Sequence, residues 1–194
     1  MIETTTDVID QLVGISPASP LHALRIQRIQ ARDNAQASYL ALFHPADPGG
    51  VSLSERHALA VFIAGLHLQS DIAAFYAAGL QPNLATAIAA ETKSGAAMGP
   101  YGNYPAGPLT PENTAGPTYA VTTANKATLG PRLSAALAHA HMLVFHPRDA
   151  EPAALQALLD AGWSTTDIVT ISQLVAFLSF QIRVVTGLRT LAAA

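Results

Sequence analysis

The chain contains no cysteine, which removes disulfides, thiolate metal sites and cysteine nucleophiles at one stroke. Charge is scarce: Asp, Glu, Lys and Arg make up 12% of the 194 residues, against roughly 25% in an average globular protein. Half of the chain is hydrophobic. A monomer so poor in charge cannot coat its surface with it, so part of the apolar surface is expected to lie between subunits of a homo-oligomer. A basic excess is also lacking. The net charge of −3 and pI near 6.1 leave no cationic stripe to neutralise phosphates, which argues against a nucleic-acid partner. Strand signals are sparse, and Tyr119 to Thr123, inside a loop region, is the one β-rich run. The most apolar stretch, Ile168 to Ile182, is interrupted by Thr170, Ser172, Gln173, Ser179 and Gln181. It falls short of the ~20 residues a membrane span needs. The acidic opening MIETTTDVID has neither a basic region nor an apolar one, unlike a signal peptide. The expectation is a single soluble, cytoplasmic domain over 1–194 without a membrane partner.

What is present is mostly helix-forming. Thr6 or Asp7 can cap a short helix over Val8 to Val13, ended by Gly14. Pro20 suits a helix start, and the Ala-, Leu-, Gln- and Arg-rich segment after it predicts one or two helices, with a break at Arg32-Asp33-Asn34 and an end at His44-Pro45. Ser52-Leu53-Ser54-Glu55 fits a capping box, and Leu59, Phe62, Ile63 and Leu66 follow at helical spacing. Ser70-Asp71 starts or continues a helix through Ala78, with Gly79 placed to end it, and Leu84 to Lys93 is a further helix. After Pro131, helices are expected over Leu133 to Phe145 and Pro152 to Ala161. A second capping box, Ser164 to Asp167, then opens a long helix with Ile168, Ile171, Leu174, Val175, Leu178, Ile182 and Val185 on its stripe. The fold class expected is all-α.

Between about 94 and 128 the chain changes character. Residues 99–117 hold four glycines and five prolines in nineteen positions, which no regular element tolerates. Tyr101, Tyr104 and Tyr119 lie in or beside this loop. Disordered linkers are poor in aromatics, so an ordered loop packed on the body is expected. On either side of it a pattern repeats. Phe43-His44-Pro45 echoes Phe145-His146-Pro147, and each is followed by a capping box and an apolar-striped helix in which Leu59, Ile63 and Leu66 match Ile171, Val175 and Leu178. Two related helical halves, about 20–90 and 130–191, are expected to share one core.

Helical halves with an LSxxE helix start, together with the segment AGWSTTDIVTISQLVAFLSFQIRVVTGLRTL, resemble the carboxymuconolactone decarboxylase and alkylhydroperoxidase-like superfamily over about 20–90 and 130–191. The resemblance implies an alkylhydroperoxidase-like helical fold. In the peroxidase branch a glutamate precedes a Cys-x-x-Cys pair by twelve residues, and a histidine follows four after the second cysteine. Counted from Glu55, this places His67 and Ser70 on the cysteine positions and Ala74 on the histidine. A second register, aligning Glu55-Arg56 with an E-R-E start, places His57 on the glutamate, Gln69 and Ile72 on the cysteines and Tyr76 on the histidine. Both registers stay open, and neither supplies a redox thiol, so the thiol peroxidase mechanism is excluded. The decarboxylase branch needs no cysteine and remains open.

The residues themselves give the candidates. Glu55 lies one turn before Leu59, near the buried stripe, where a carboxylate can serve as acid or base; the competing role is to cap the helix at Ser52. His67 follows Ile63 by four residues and so faces partly inward, either to move a proton or to sit in the core on a backbone carbonyl. Glu55 and His67 cannot meet along one straight helix, because twelve residues rise about 18 Å and turn about 120°. Arg183 interrupts the long apolar helix and can clamp a carboxylate, or snorkel at a contact. His139 and His141 point apart on a helix, and His44 and His146 read as helix-end residues, so no metal and no cofactor is expected. Two functions follow. One is acid–base chemistry on a small organic substrate by Glu55, His57 and His67, with Ser70, Tyr76 and Arg183 binding it. The other is a non-catalytic oligomeric binding or accessory protein that kept the fold.

Overall fold

A computed structural model describes residues 6–193, which leaves the opening MIETT outside the described residues. The described chain is all-helical and contains no strand; one isolated antiparallel bridge joins Gly102 to Thr114. The helices are α1 (Val8–Val13), α2 (Pro20–Ile26), α3 (Ile29–Phe43), α4 (Leu53–Leu66), α5 (Ser70–Ala77), α6 (Pro82–Ser94), α7 (Lys126–Phe145), α8 (Pro152–Asp160) and α9 (Thr165–Ala192).

The centre of the molecule is α4, which packs on α5, α6, α7 and α9. Its sequence predicts one apolar stripe, but every residue from Ala58 to Ala64 is buried. The reason lies in the alanines at 58, 60 and 64: small side chains let neighbours close on the faces that a striped helix would leave to solvent, and a helix apolar all round belongs inside. Leu59, Phe62 and Ile63 are fully enclosed; each such burial contributes about 1.5–3 kcal/mol. Polar chemistry on α4 is thereby confined to its two ends.

Both capping boxes form. In the first, Ser52 Oγ accepts the Glu55 N–H and Glu55 Oε2 accepts the Ser52 N–H at 2.9 Å. In the second, Asp167 Oδ2 accepts the Ser164 N–H at 3.0 Å and Ser164 Oγ accepts the Asp167 N–H. The two lie side by side. A Cβ on Gly50 would stand 2.3 Å from Asp167 Oδ1, and Arg132 spans both loops by donating to Gly50 O at 2.8 Å and Gly162 O at 2.6 Å. The loop before α4 is held by the buried Arg56, which donates to Val51 O, Leu42 O and Pro48 O.

Two sequence expectations shift. The break expected at Arg32-Asp33-Asn34 falls instead at Gln27–Arg28, where Arg28 leaves helical geometry at φ −122° and ψ 52°. Arg32 to Asn34 sit in the early turns of α3, where an acid is tolerated. The bend is set by Arg25, whose buried guanidinium reaches Asp7 and Asp10 of the first helix. The helix expected after Pro131 runs to Phe145 as read, and a short helical turn from Lys126 precedes it across the non-helical Gly130 (φ 69°, ψ 170°). The apolar run bounded at Ile182 belongs to a helix of 28 residues. By length and composition alone α9 is long and apolar enough to cross a membrane, but about half of its apolar stretch is buried in the core.

The 95–125 loop is pinned by α6 and α7. Glu91, with no exposed surface, accepts from Tyr119 Oη at 2.6 Å, from the Thr122 hydroxyl and N–H, and from Asn125 Nδ2 at 2.7 Å. Burial alone would raise its pKa, but the bonds from Thr122, Tyr119 and Asn125 together hold it below the ordinary carboxylate range. His141 bonds Gly95 O, and His146 bonds Pro117 O. Tyr119 stacks on His141, and Tyr104 carries Arg148 over its ring at 4.2 Å. The Tyr119 to Thr123 run is therefore clasped by side chains instead of forming a strand ladder.

Candidate functional site

The end of α4 is unusual. The Gln69 N–H returns to Ala64 O and the Leu68 N–H to Gly65 O, both at 2.9 Å, which is the Schellman pattern of helix termination. That pattern places one residue in the left-handed region, usually glycine, but here it is Leu68 at φ 58°. A branched side chain there costs about 1–2 kcal/mol. The tight turn ends α4 at Leu66 and leaves His67, the capping residue, at the edge of a crevice.

This crevice, about 600 Å³, runs between the last turns of α7 and the middle of α9, with Gly99 and Pro100 closing one side. Its volume lies in the range of small-molecule sites, about 300–1,000 Å³. Leu143, Val144, Phe145 and Val175 make the apolar wall. The α9 residues Ser172, Ala176, Ser179 and Arg183 face it together because steps of three and four keep them on one helical face.

The polar groups form two pairs. His67 Nε2 lies 3.4 Å from Ser179 Oγ, and Arg183 donates to Ser179 O at 2.8 Å. About two turns earlier on α9, Ser172 Oγ lies 3.0 Å from His139 Nε2, whose ring Nδ1 is buried without a partner. Burial, and then the positive Arg183, hold His67 below its usual pKa; burial alone lowers that of His139. Both imidazoles are thus neutral near pH 7. Arg183 makes no ion pair with any described side chain, so the crevice offers one cation, one proton acceptor and two hydroxyls on an otherwise apolar surface. The Ser172–His139 pair resembles a nucleophile and its base, but the orphaned Nδ1 means that the group that would orient the base is missing.

Of the residues singled out in the sequence, His67 and Arg183 meet here and four others do not. Glu55 is committed to its capping box and lies 3.5 Å from Arg132 Nε. It sits at the opposite end of α4 from His67, about 18 Å along the axis. The His57 ring closes the end of α5 by donating from Nδ1 to Tyr76 O at 2.9 Å, in space that Gly79 leaves free by lacking a Cβ. Tyr76 is fully enclosed and donates to Gln181 Oε1 at 2.7 Å; burial pushes its phenol well above the ordinary range. Ser70 is exposed at the start of α5, 3.4 Å from Asp71. Glu55, His57 and His67 therefore do not converge on one pocket, because α4 is straight and its core residues leave no polar path between its ends. Among the described residues no three His, Asp or Glu side chains gather to hold a metal ion.

Ser172, Ser179 and His139 have no motif of their own. The signal that could have found Ser179 is the repeat. It lies 112 residues after His67, the same step that separates Ser52 from Ser164. Positions matched by the repeat thus touch one another at the crevice. Comparison with protein-family models, curated proteins and solved structures finds no match for this chain.

Proposed function

We propose that the crevice between α7 and α9 binds a small, largely apolar organic anion and that His67 exchanges a proton with it. The observation that carries this reading is the unpaired Arg183 guanidinium beside the neutral His67 imidazole on one apolar wall. Arg183 receives the anion. Its charge, once countered by the ligand, no longer repels a proton on His67, so the imidazole becomes a stronger base when the site is filled. A proton then passes from the substrate to His67 Nε2, and its electron pair stays on the substrate. The second reading is binding without chemistry. It is supported by the engagement of Glu55 and His57 elsewhere, which leaves His67 without a second acid–base group of the expected set.

The paired capping boxes, the matching His-Pro helix ends and the 112-residue step from His67 to Ser179 support a broader proposal. The chain would be a cysteine-free relative of the carboxymuconolactone decarboxylase and alkylhydroperoxidase-like superfamily, with two related halves. The highly exposed Leu68 and Met98 support its assembly as a homo-oligomer, which sedimentation velocity would test.

Benzoate is a suitable first probe of the crevice. The His67 ring resonances should titrate below pH 6.5 in the free protein and move upward with saturating benzoate. By linkage, affinity for benzoate should rise as the pH falls through the His67 titration and level off once free His67 is protonated. Arg183→Gln should remove the binding; benzoate affinity unchanged by that substitution would overturn the reading. Deuterium wash-in at the methyl carbon of pyruvate, faster than in buffer and absent from His67→Gln, would mark catalysis. Benzoate binding without wash-in would leave the protein a binder.

A further inference from the structure

A second cavity opens on a different face of α9, about a third of a turn round from the crevice. Its volume is about 240 Å³, and its walls are Ile9, Leu24, Ala35, Phe180, Val184 and Leu188. The space exists because α3 presents alanines at 31 and 35, one turn apart, where larger side chains would meet α9. All the polarity of the lining comes from three arginines, Arg25, Arg28 and Arg32.

These three are not equally occupied. Arg25 is consumed: it donates to Asp7 Oδ1 and Asp10 Oδ1, and Asp7 Oδ1 also accepts the N–H groups of Ile9 and Asp10 at the start of α1. Arg32 Nε stands 3.7 Å from Asp7 Oδ2 and 4.0 Å from Asp10 Oδ2, beyond hydrogen-bond reach, and is buried with no partner. Its outer nitrogen is 3.9 Å from Asp33, whose side chain faces solvent. Arg28 has no ion pair or side-chain hydrogen bond with any described residue. Arg25 and Arg32 thus share Asp7, Asp10 and the exposed Asp33, and Arg28 stands at the mouth of the apolar cavity with no carboxylate partner among the described residues. A buried donor without an acceptor at the edge of such a cavity marks where an acceptor is missing.

We propose that this cavity binds a medium-chain carboxylate, with its head between Arg28 and Arg32 and its tail along Phe180, Val184 and Leu188. Size sets the class. At about 30 Å³ for each water-sized group the cavity takes roughly eight of them, which suits a chain of about eight carbons. Charge sets the head: a planar carboxylate matches the fork of the unpaired Arg28 and can accept from Arg32, whose Nε has no hydrogen-bond partner. This site is separate from the crevice and does not depend on His67 or Arg183.

The test is calorimetric titration of the full chain with octanoate, with octanol (the tail without the charge) and acetate (the charge without the tail) as controls. In the Arg183→Gln chain, whose crevice no longer receives an anion, octanoate should bind saturably with one site per chain, and each control at least about tenfold more weakly. Arg32→Gln and Arg28→Gln should each weaken octanoate several-fold. Ala31→Phe, at an exposed helical position, should fill the cavity and remove binding in a chain that still melts cooperatively. Octanoate binding that survives Arg183→Gln, while benzoate binding is lost, separates this site from the crevice. Octanol binding as tightly as octanoate would overturn the assignment of the head group. Octanoate binding unaffected by Ala31→Phe, or no saturable octanoate binding at all, would overturn the site.

Discussion

The segments led by α4 and α9 begin alike and end differently. Each follows a His-Pro helix end of nearly the same backbone geometry, φ −133° and ψ 39° at His44 against φ −128° and ψ 42° at His146. Each opens with a complete capping box. Yet α4 stops at Leu66 in a strained turn, whereas α9 runs on past Ser179, the position that matches His67, to carry Arg183 a turn later. The crevice is the product of that difference. Had α4 continued like α9, His67 would lie along a helix instead of at its cap; had α9 stopped like α4, Arg183 would not stand beside it.

The starts also differ beneath their likeness. Gly50 and Gly162 occupy matching positions two residues before the capping serine. Gly162 needs glycine for its backbone, at φ 92°, while a Cβ there would make only an ordinary contact with Arg132 Cγ at 4.0 Å. Gly50 needs glycine for its space, against the Asp167 carboxylate. One sequence feature thus answers two different constraints, and only the neighbour distinguishes them.

Substitutions can separate these constraints. The largest effect is expected from Gly50→Val, which forces Asp167 out of its box and overpacks the junction, at a cost of about 3 kcal/mol by urea denaturation. In an Asp167→Ala background the same substitution should cost much less, and additive costs would show that the two loops do not bear on each other. Next come the caps. Ser164→Ala should cost about 1.5 kcal/mol and Ser52→Ala about half of that, because the second box is the more buried. Equal losses would mean that burial does not distinguish them. Gly162→Ala should cost about 1 kcal/mol from backbone strain alone and, unlike Gly50→Val, be indifferent to Asp167. The smallest effect has the opposite sign. Leu68→Gly relieves the left-handed strain and loses little packing, since Leu68 is 75% exposed; the chain should gain about 0.5 kcal/mol after the entropy cost of glycine. A loss of stability there would show that the exposed leucine is packed on a partner.

Much of the fold was legible in the sequence. The caps at Asp7, Ser52 and Ser164, the prolines at 20, 82 and 152 and the glycine at 14 act through bonds and dihedrals within a few residues, so their signals are local. The bend at Gln27–Arg28 was not legible, because it depends on Arg25 meeting acids fifteen and eighteen residues earlier in the chain. The site divided in the same way. His67 and Arg183 could be suspected from polar residues breaking apolar runs. The engagement of His57 with the end of α5 could not, since its partner is a carbonyl nineteen residues away. Ser179 showed only as one of several polar breaks in an apolar run and His139 only as one of two helical histidines, and their part follows from where α9 crosses α4 and α7.

By itself the sequence determined an all-helical chain, the start of both central helices and the absence of thiol chemistry, because these follow from composition, short-range hydrogen bonding and side-chain volume. Only the tertiary structure decided that α4 is enclosed on every side, that Glu55 and His67 stay apart at its ends, and that His67 meets Ser179 and Arg183. Those outcomes depend on which helix covers which face, and burial by a distant element leaves no mark at the residue it covers.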